Sequence, residues 1–190
     1  MGIRGKGLIA MVAAALLAGT AAAQDGPARA PRPEITAPLA MFDGVWIGPA
    51  RMTLPDGSVR TFEQMERIGP MLGGEIRVME GKARGSDGAT LFNAFTVFSE
   101  GTGGGIEMRS HVWGDESARA ITMKPDGYVW RMDTPGGPIT YDITVRDGVW
   151  HETGVITLAS GAQAAFFEMT LTRKGDSDWP AANAAFPTTD

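Results

Sequence analysis

Two histidines and a scatter of carboxylates are the side chains of this 190-residue sequence with the clearest chemical potential. His111 lies in Met108-Arg109-Ser110-His111-Val112-Trp113, and His151 in Val149-Trp150-His151-Glu152. An imidazole in an apolar pocket can ligate haem iron. His151 sits beside a hairpin signal, near a strand end, and is the better placed of the two. The face it shares argues against that role. Val149, Thr153 and Val155 go with it, while Trp150 and Ile156 take the opposite face. If those two line an interior, His151 points out. Two His without Cys or a carboxylate cluster do not make a tight zinc site. The expectation is therefore no haem or other cofactor, no metal and no catalytic residue.

Other catalytic patterns fail on spacing. Ser110 and His111 are adjacent, so on a strand they face opposite ways and cannot form a nucleophile pair. There is no Gly-x-Ser-x-Gly. Gly101 to Gly105 has Gly at four of five positions but lacks the Lys-Ser/Thr ending of a phosphate loop. Glu63, Glu66, Glu75, Glu80, Glu107, Glu152 and Glu168 are spread along the chain. Glu107, Arg109, His111 and Trp113 alternate and share a face. Turned inward, that stripe would grip a ligand carboxylate through Arg109. Ile106, Met108 and Val112 fill the other face, so the stripe is expected to face solvent.

These residues must be positioned by strands. From Gly44 onward, short alternating runs are split by turn signals every 10–14 residues or so, the pattern of an all-β barrel or sandwich. The runs are Val45 to Leu54, Val59 to Ile68, Glu75 to Arg84, Thr90 to Ser99 and Ile106 to Trp113. Ala118 to Lys124, Tyr128 to Asp133, Ile139 to Arg146, Val149 to Leu158 and Ala164 to Arg173 follow. Pro49 demands a bulge or bend in the first run. Asp147-Gly148 is the tightest hairpin signal. No segment carries a useful amphipathic helical pattern, although Ala37 to Asp43 has the length of one turn that could plug a barrel end. Ten runs without an obvious crossover leave two open edges unless the sheet closes. The expected fold is an up-and-down antiparallel barrel, with a bent sheet or sandwich as the alternative. Phe92 or, preferably, Phe95, with Trp130, Met132, Tyr141, Phe167 and Met169, is expected to line its cavity.

Composition bounds the setting. Arg4 and Lys6 precede an apolar run from Leu8 to Leu17, and Ala21-Ala22-Ala23 supplies a cleavage site, so residues 1–23 read as a signal peptide. The apolar run is too short to span a bilayer, which takes about 20 residues. A periplasmic or secreted protein is expected. Residues 24–38, with four prolines, read as a disordered leader, residues 39–175 as the barrel, and residues 176–190 as a tail laid on its outside. The formal charge is −5, there is no Cys, and no Lys/Arg cluster occurs. Nucleic acid is then a poor partner.

Gly44-Val45-Trp46 near the start and Arg173 at the end of the last run resemble the end-closing signature of the lipocalin and fatty-acid-binding-protein superfamily, the calycins. There the Arg covers the Trp. Gly69-Pro70-Met71-Leu72-Gly73-Gly74, Asp147 to Glu152, Phe167 to Arg173 and Asp178-Trp179-Pro180 also resemble an uncharacterised family of exported bacterial proteins with lipocalin-like folds. The likeness runs from about Phe42 to Pro180. It implies a barrel closed by Trp46 and Arg173 and a tendency to bind small apolar or amphipathic molecules. It implies no chemistry, since one fold hosts many functions. A small barrel enzyme of isomerase or hydrolase type, and a structural envelope module with a filled barrel, are the competing expectations.

Overall fold

Alternating apolar and polar residues give ten strands, and the ends of the sheet meet. In the computed structural model, which describes residues 32–180, these are β1 (Gly44–Thr53), β2 (Val59–Met71), β3 (Ile76–Arg84), β4 (Thr90–Glu100) and β5 (Ile106–Val112). β6 (Asp115–Lys124), β7 (Gly127–Met132), β8 (Ile139–Arg146), β9 (Val149–Thr157) and β10 (Gln163–Gly175) complete the set. Each strand pairs antiparallel with its sequence neighbour, and β1 also pairs with β10, closing the barrel. Closure leaves no free edge. Short turns suffice because every connection joins neighbours. At Asp147-Gly148 both residues have positive φ, 50° and 73°, as the tightest hairpin turn requires.

One end of the barrel is filled. Two 3-10 turns, Pro33–Ile35 and Ala37–Phe42, precede β1 and bury Leu39 and Phe42 completely. Phe42 meets Trp150 and Tyr128 edge-on, with ring centroids 4.7 and 5.3 Å apart. The expected plug is present, but it starts earlier than the sequence implied. Thr36, inside the leader expected to be disordered, is fully buried and donates to the Gly74 carbonyl at 2.6 Å. Residues 32–38 thus belong to the folded unit, because Thr36 ties them to the barrel. Residues 1–23, read from sequence as a signal peptide, and residues 24–31 lie outside the described residues, as do residues 181–190 of the tail. The tail's described part does lie outside: Trp179 packs under the Arg67 guanidinium, 4.2 Å from its ring centroid, and Asp178 pairs with Arg67.

Arg77 clamps the plug. Its guanidinium donates to both Asp43 oxygens, at 2.9 and 3.2 Å, and to the Thr36 hydroxyl at 3.0 Å. Arg77→Met would strand Asp43 and Thr36 together. Asp43 keeps some solvent, so the loss falls below that of a fully buried pair, at about 2 kcal/mol. Urea unfolding of the variant checks this, and a loss below ~0.5 kcal/mol, the range of an ordinary surface change, would discount the clamp.

Two expectations about β1 need correction. Trp46 and Arg173 do face each other in register, but the guanidinium does not lie on the indole. It reaches the Asp43 carbonyl at 3.3–3.4 Å and the Asp176 carboxylate at 2.6 Å. A register shift between Val45 and Trp46 accompanies this offset. Among the described residues, the guanidiniums over indoles are those of Arg67 and Arg119. Pro49 makes no bulge either. β1 runs in unbroken register with β2 through Pro49, and its pairing with β10 resumes at Ala50 in the register it had at Ile47. Pro49 lacks the N–H for a ladder bond, and it sits where pairing with β10 lapses.

Candidate functional site

Strand parity places a polar group at the heart of an apolar barrel. On β2, buried Ile68 fixes the inward face, and Glu66, Gln64 and Phe62 follow it at every second position. On β9, buried Trp150 does the same for Glu152, Gly154 and Ile156. Gln64 Nε2 donates to Glu66 Oε1 at 2.6 Å, while Glu66 Oε2 is buried without a partner. Gly81 lies opposite Glu66, and a Cβ there would come within 2.9 Å of both carboxyl oxygens. Only a glycine leaves that carboxyl its room. Gly154 likewise makes way for the Tyr141 ring, which a Cβ would meet at 2.9 Å.

Burial governs the ionisation of this group. It pushes Glu66 well above the ordinary carboxyl range. The Gln64 hydrogen bond works against that shift, and the charges of Glu152 and Glu80 add to it. Burial lifts Glu152 to about 8, and the nearby Trp150 indole offsets a little of the rise. That indole N–H nevertheless makes no hydrogen bond of normal geometry, so the polarisation is weak. Tyr128 and Tyr141 are also shifted upward, by burial first and then by the neighbouring Glu152. Burial thus favours the protonated form of both carboxyls, and the tyrosines keep their hydroxyl protons.

Above this layer the wall is aromatic. Trp130 and Tyr141 stack in parallel, with centroids 4.2 Å apart and planes 4° apart. The Arg119 guanidinium lies 5.7 Å from the Trp130 centroid and donates to the Ser117 hydroxyl. Exposure rises along the barrel axis. Leu39, Phe42, Trp46 and Trp150 are sealed at the plugged end. Phe62, Trp130, Met132, Ile156 and Phe167 pack on the core yet stay only half-buried toward the other end.

Of the residues expected to line the cavity, Trp130, Met132, Tyr141, Phe167 and Met169 belong to this interior. Phe95 does not. It is 40% exposed on the outer face, edge-on to Trp179 at 6.0 Å. There it borders an open surface depression of about 250 Å³ with Glu80, Asn93, Ala94 and His111. The reason is parity: Thr96 and Phe98 are buried, so Phe95, one position before Thr96, faces out. The Glu107–Arg109–His111–Trp113 stripe faces solvent as expected, with Arg109 bonded to Glu107 at 2.9 Å and to Glu116. His151 is also outside, 3.7 Å from Glu168, which in turn bonds Arg51 at 2.9 Å. Neither imidazole reaches the interior. Sequence reasoning missed Glu66, Glu152, Gln64, Arg119 and Tyr128. The signal for Glu152 was available, because the parity that turns His151 outward turns Glu152 inward.

The architecture defines a class: an all-β, closed, up-and-down antiparallel barrel of ten strands, lipocalin-like in structure, with a plugged base and polar groups in its interior. Among solved structures the chain is similar to Rv2717c from M. tuberculosis, with a TM-score of 0.57 and 10% sequence identity over 76% of this chain and 99% of that one. At that identity the likeness extends to the fold alone. No protein-family model matches the sequence, and no curated protein matches it.

Proposed function

We propose that this protein is a periplasmic or secreted lipocalin-like carrier that holds one small apolar or amphipathic molecule in the open half of its barrel. The observation that carries the reading is the exposure gradient. Inward-facing Phe62, Trp130, Met132, Ile156 and Phe167 are only partly buried above a base that is fully sealed. Apolar side chains left wet inside a closed wall gain by covering with an apolar guest. Export is supported by the charge, apolar run and Ala-Ala-Ala site of residues 1–23. Secreted protein whose N-terminus is Met1 would overturn it.

Titration with the apolar dye N-phenyl-1-naphthylamine tests the carrier reading. One saturable site is expected, with energy transfer from tryptophan. Trp130→Ala removes half of the stacked pair and should weaken binding about tenfold, the worth of one good aromatic contact. Unsaturable binding, or equal affinity in the variant, would overturn the assignment.

One observation favours a second reading. A carboxyl whose proton leaves near pH 8, facing the interior of a barrel, is poised as a general acid for an isomerase or hydrolase. That reading expects Glu152→Gln to abolish turnover while the dye still binds.

A further inference from the structure

We propose that the molecule carried is an organic amine, its ammonium held by Glu66 and Glu152 and its apolar body laid against Trp130 and Tyr141. The inference rests on the carrier reading and names its ligand class. The two carboxyls come from strands on either side of the β1–β10 seam, and the sequence commits both to the interior through the parity of Ile68 and Trp150. Among the described residues, no cation pairs with either of them. Of the nearby arginines, Arg77 is spent on Asp43 and Thr36 at the plug, and Arg119 on Ser117 and the Trp130 face. Glu80 faces outward and is paired with Arg67 at 3.0 Å.

The unmet valence points the same way. Glu66 is 6% exposed, and its Oε2 finds no partner. Gly81, opposite Glu66 on the neighbouring strand, keeps space for that carboxyl. A buried polar atom without a partner costs on the order of 1–3 kcal/mol, which a ligand group can recover. Tyr128 feels the charges of both acids and Tyr141 that of Glu152, while the Trp150 indole N–H is a buried donor that also finds no partner. The carboxyls and the tyrosine hydroxyls can accept hydrogen bonds from an ammonium, and aromatic rings attract positive charge. An ammonium brings three donors and one charge, enough for both carboxyls and a ring. An anionic ligand meets repulsion as soon as either acid ionises. A neutral alcohol satisfies Oε2 but gains nothing from the second acid.

Protons balance simply. The amine is already an ammonium in solution, and each carboxyl it pairs with releases its proton to water. Affinity should therefore rise with pH until the carboxyls are ionised in the empty barrel, then level off.

Calorimetry with 1-naphthylmethylamine and its neutral counterpart 1-naphthylmethanol decides the matter. At pH 8.5 the amine should bind at least tenfold tighter than the alcohol, and at pH 6 that advantage should shrink at least tenfold, with proton release at the lower pH. Glu152→Gln should cut the amine's advantage over the alcohol at pH 8.5 at least tenfold. If the variant does not fold, the two ligands at two pH values on the unaltered protein carry the test. Equal affinities at both pH values, or a preference untouched by Glu152→Gln, would overturn the amine assignment and leave the carrier reading standing. Failure of both ligands, and of the apolar dye, would overturn both.

Discussion

Glu152→Gln is expected to make the protein more stable at pH 9 and to flatten its loss of stability with rising pH. An unfolded glutamate ionises near 4.5, and burial holds Glu152 protonated to about 8. Below 4.5 both states carry the proton, and the side chain imposes no ionisation penalty. Between 4.5 and 8 the unfolded chain releases the proton while the fold retains it. Stability then falls by a little over ~1 kcal/mol per pH unit and levels off above 8. The total is on the order of 4–5 kcal/mol, large beside the ~5–15 kcal/mol of a typical domain. Glu66 works in the same direction, so the variant keeps part of the slope. Glu168, Glu116 and Asp126 are held low by Arg51, Arg109 and Arg146, on the exposed face. They act at the acid end, where their contribution fades as pH falls. Thermal unfolding from pH 5 to 9 separates these regimes. A slope between pH 5 and 8 that is the same in both proteins would show that Glu152 is not buried as its acid.

The strand plan was largely legible because each signal was local. Period-two alternation is a property of a few consecutive residues, and Ile139, Tyr141, Ile143 and Val145 show it without interruption, so β8 runs from Ile139 to Arg146 as read. Turn chemistry is equally local, as at Asp147-Gly148. What failed was the choice of which residues meet in the interior. Phe95 and Phe92 are both good lining residues by type. Choosing between them needs the buried positions Thr96 and Phe98, and Phe92 shares their parity. Glu66 and Glu152 looked like scattered surface charges because carboxylates seldom face a core. Their common destination appears only when β2 and β9 curve toward one interior. Thr36 was hidden in a Pro-rich stretch whose composition reads as disorder. One hydroxyl, bonded to a carbonyl 38 residues away, brings its end into the fold.

Trp46→Ala is expected to cost roughly 3–5 kcal/mol, and the structure gives a different reason from the stacking that sequence reasoning supplied. The indole is 1% exposed and sits edge-on to Trp150, with centroids 5.8 Å apart. Its N–H donates to the Phe42 carbonyl at 2.7 Å, tying the plug to the first strand. Truncation opens a cavity where three rings converge, and it leaves that carbonyl buried without its donor. Trp46→Phe separates the two parts: it keeps most of the volume, loses the donor, and should cost about 1–2 kcal/mol. Arg173→Ala should cost less than ~1 kcal/mol, because an exposed guanidinium on a carbonyl and a solvated carboxylate is worth little. Trp113→Ala provides the contrast. That ring is 67% exposed on the outer stripe, and its removal should stay within about 0.5 kcal/mol. Urea unfolding followed by far-ultraviolet circular dichroism ranks the four variants. Equal losses for Trp46→Ala and Arg173→Ala would restore the Arg–Trp pair as the closing element and remove the plug from that role.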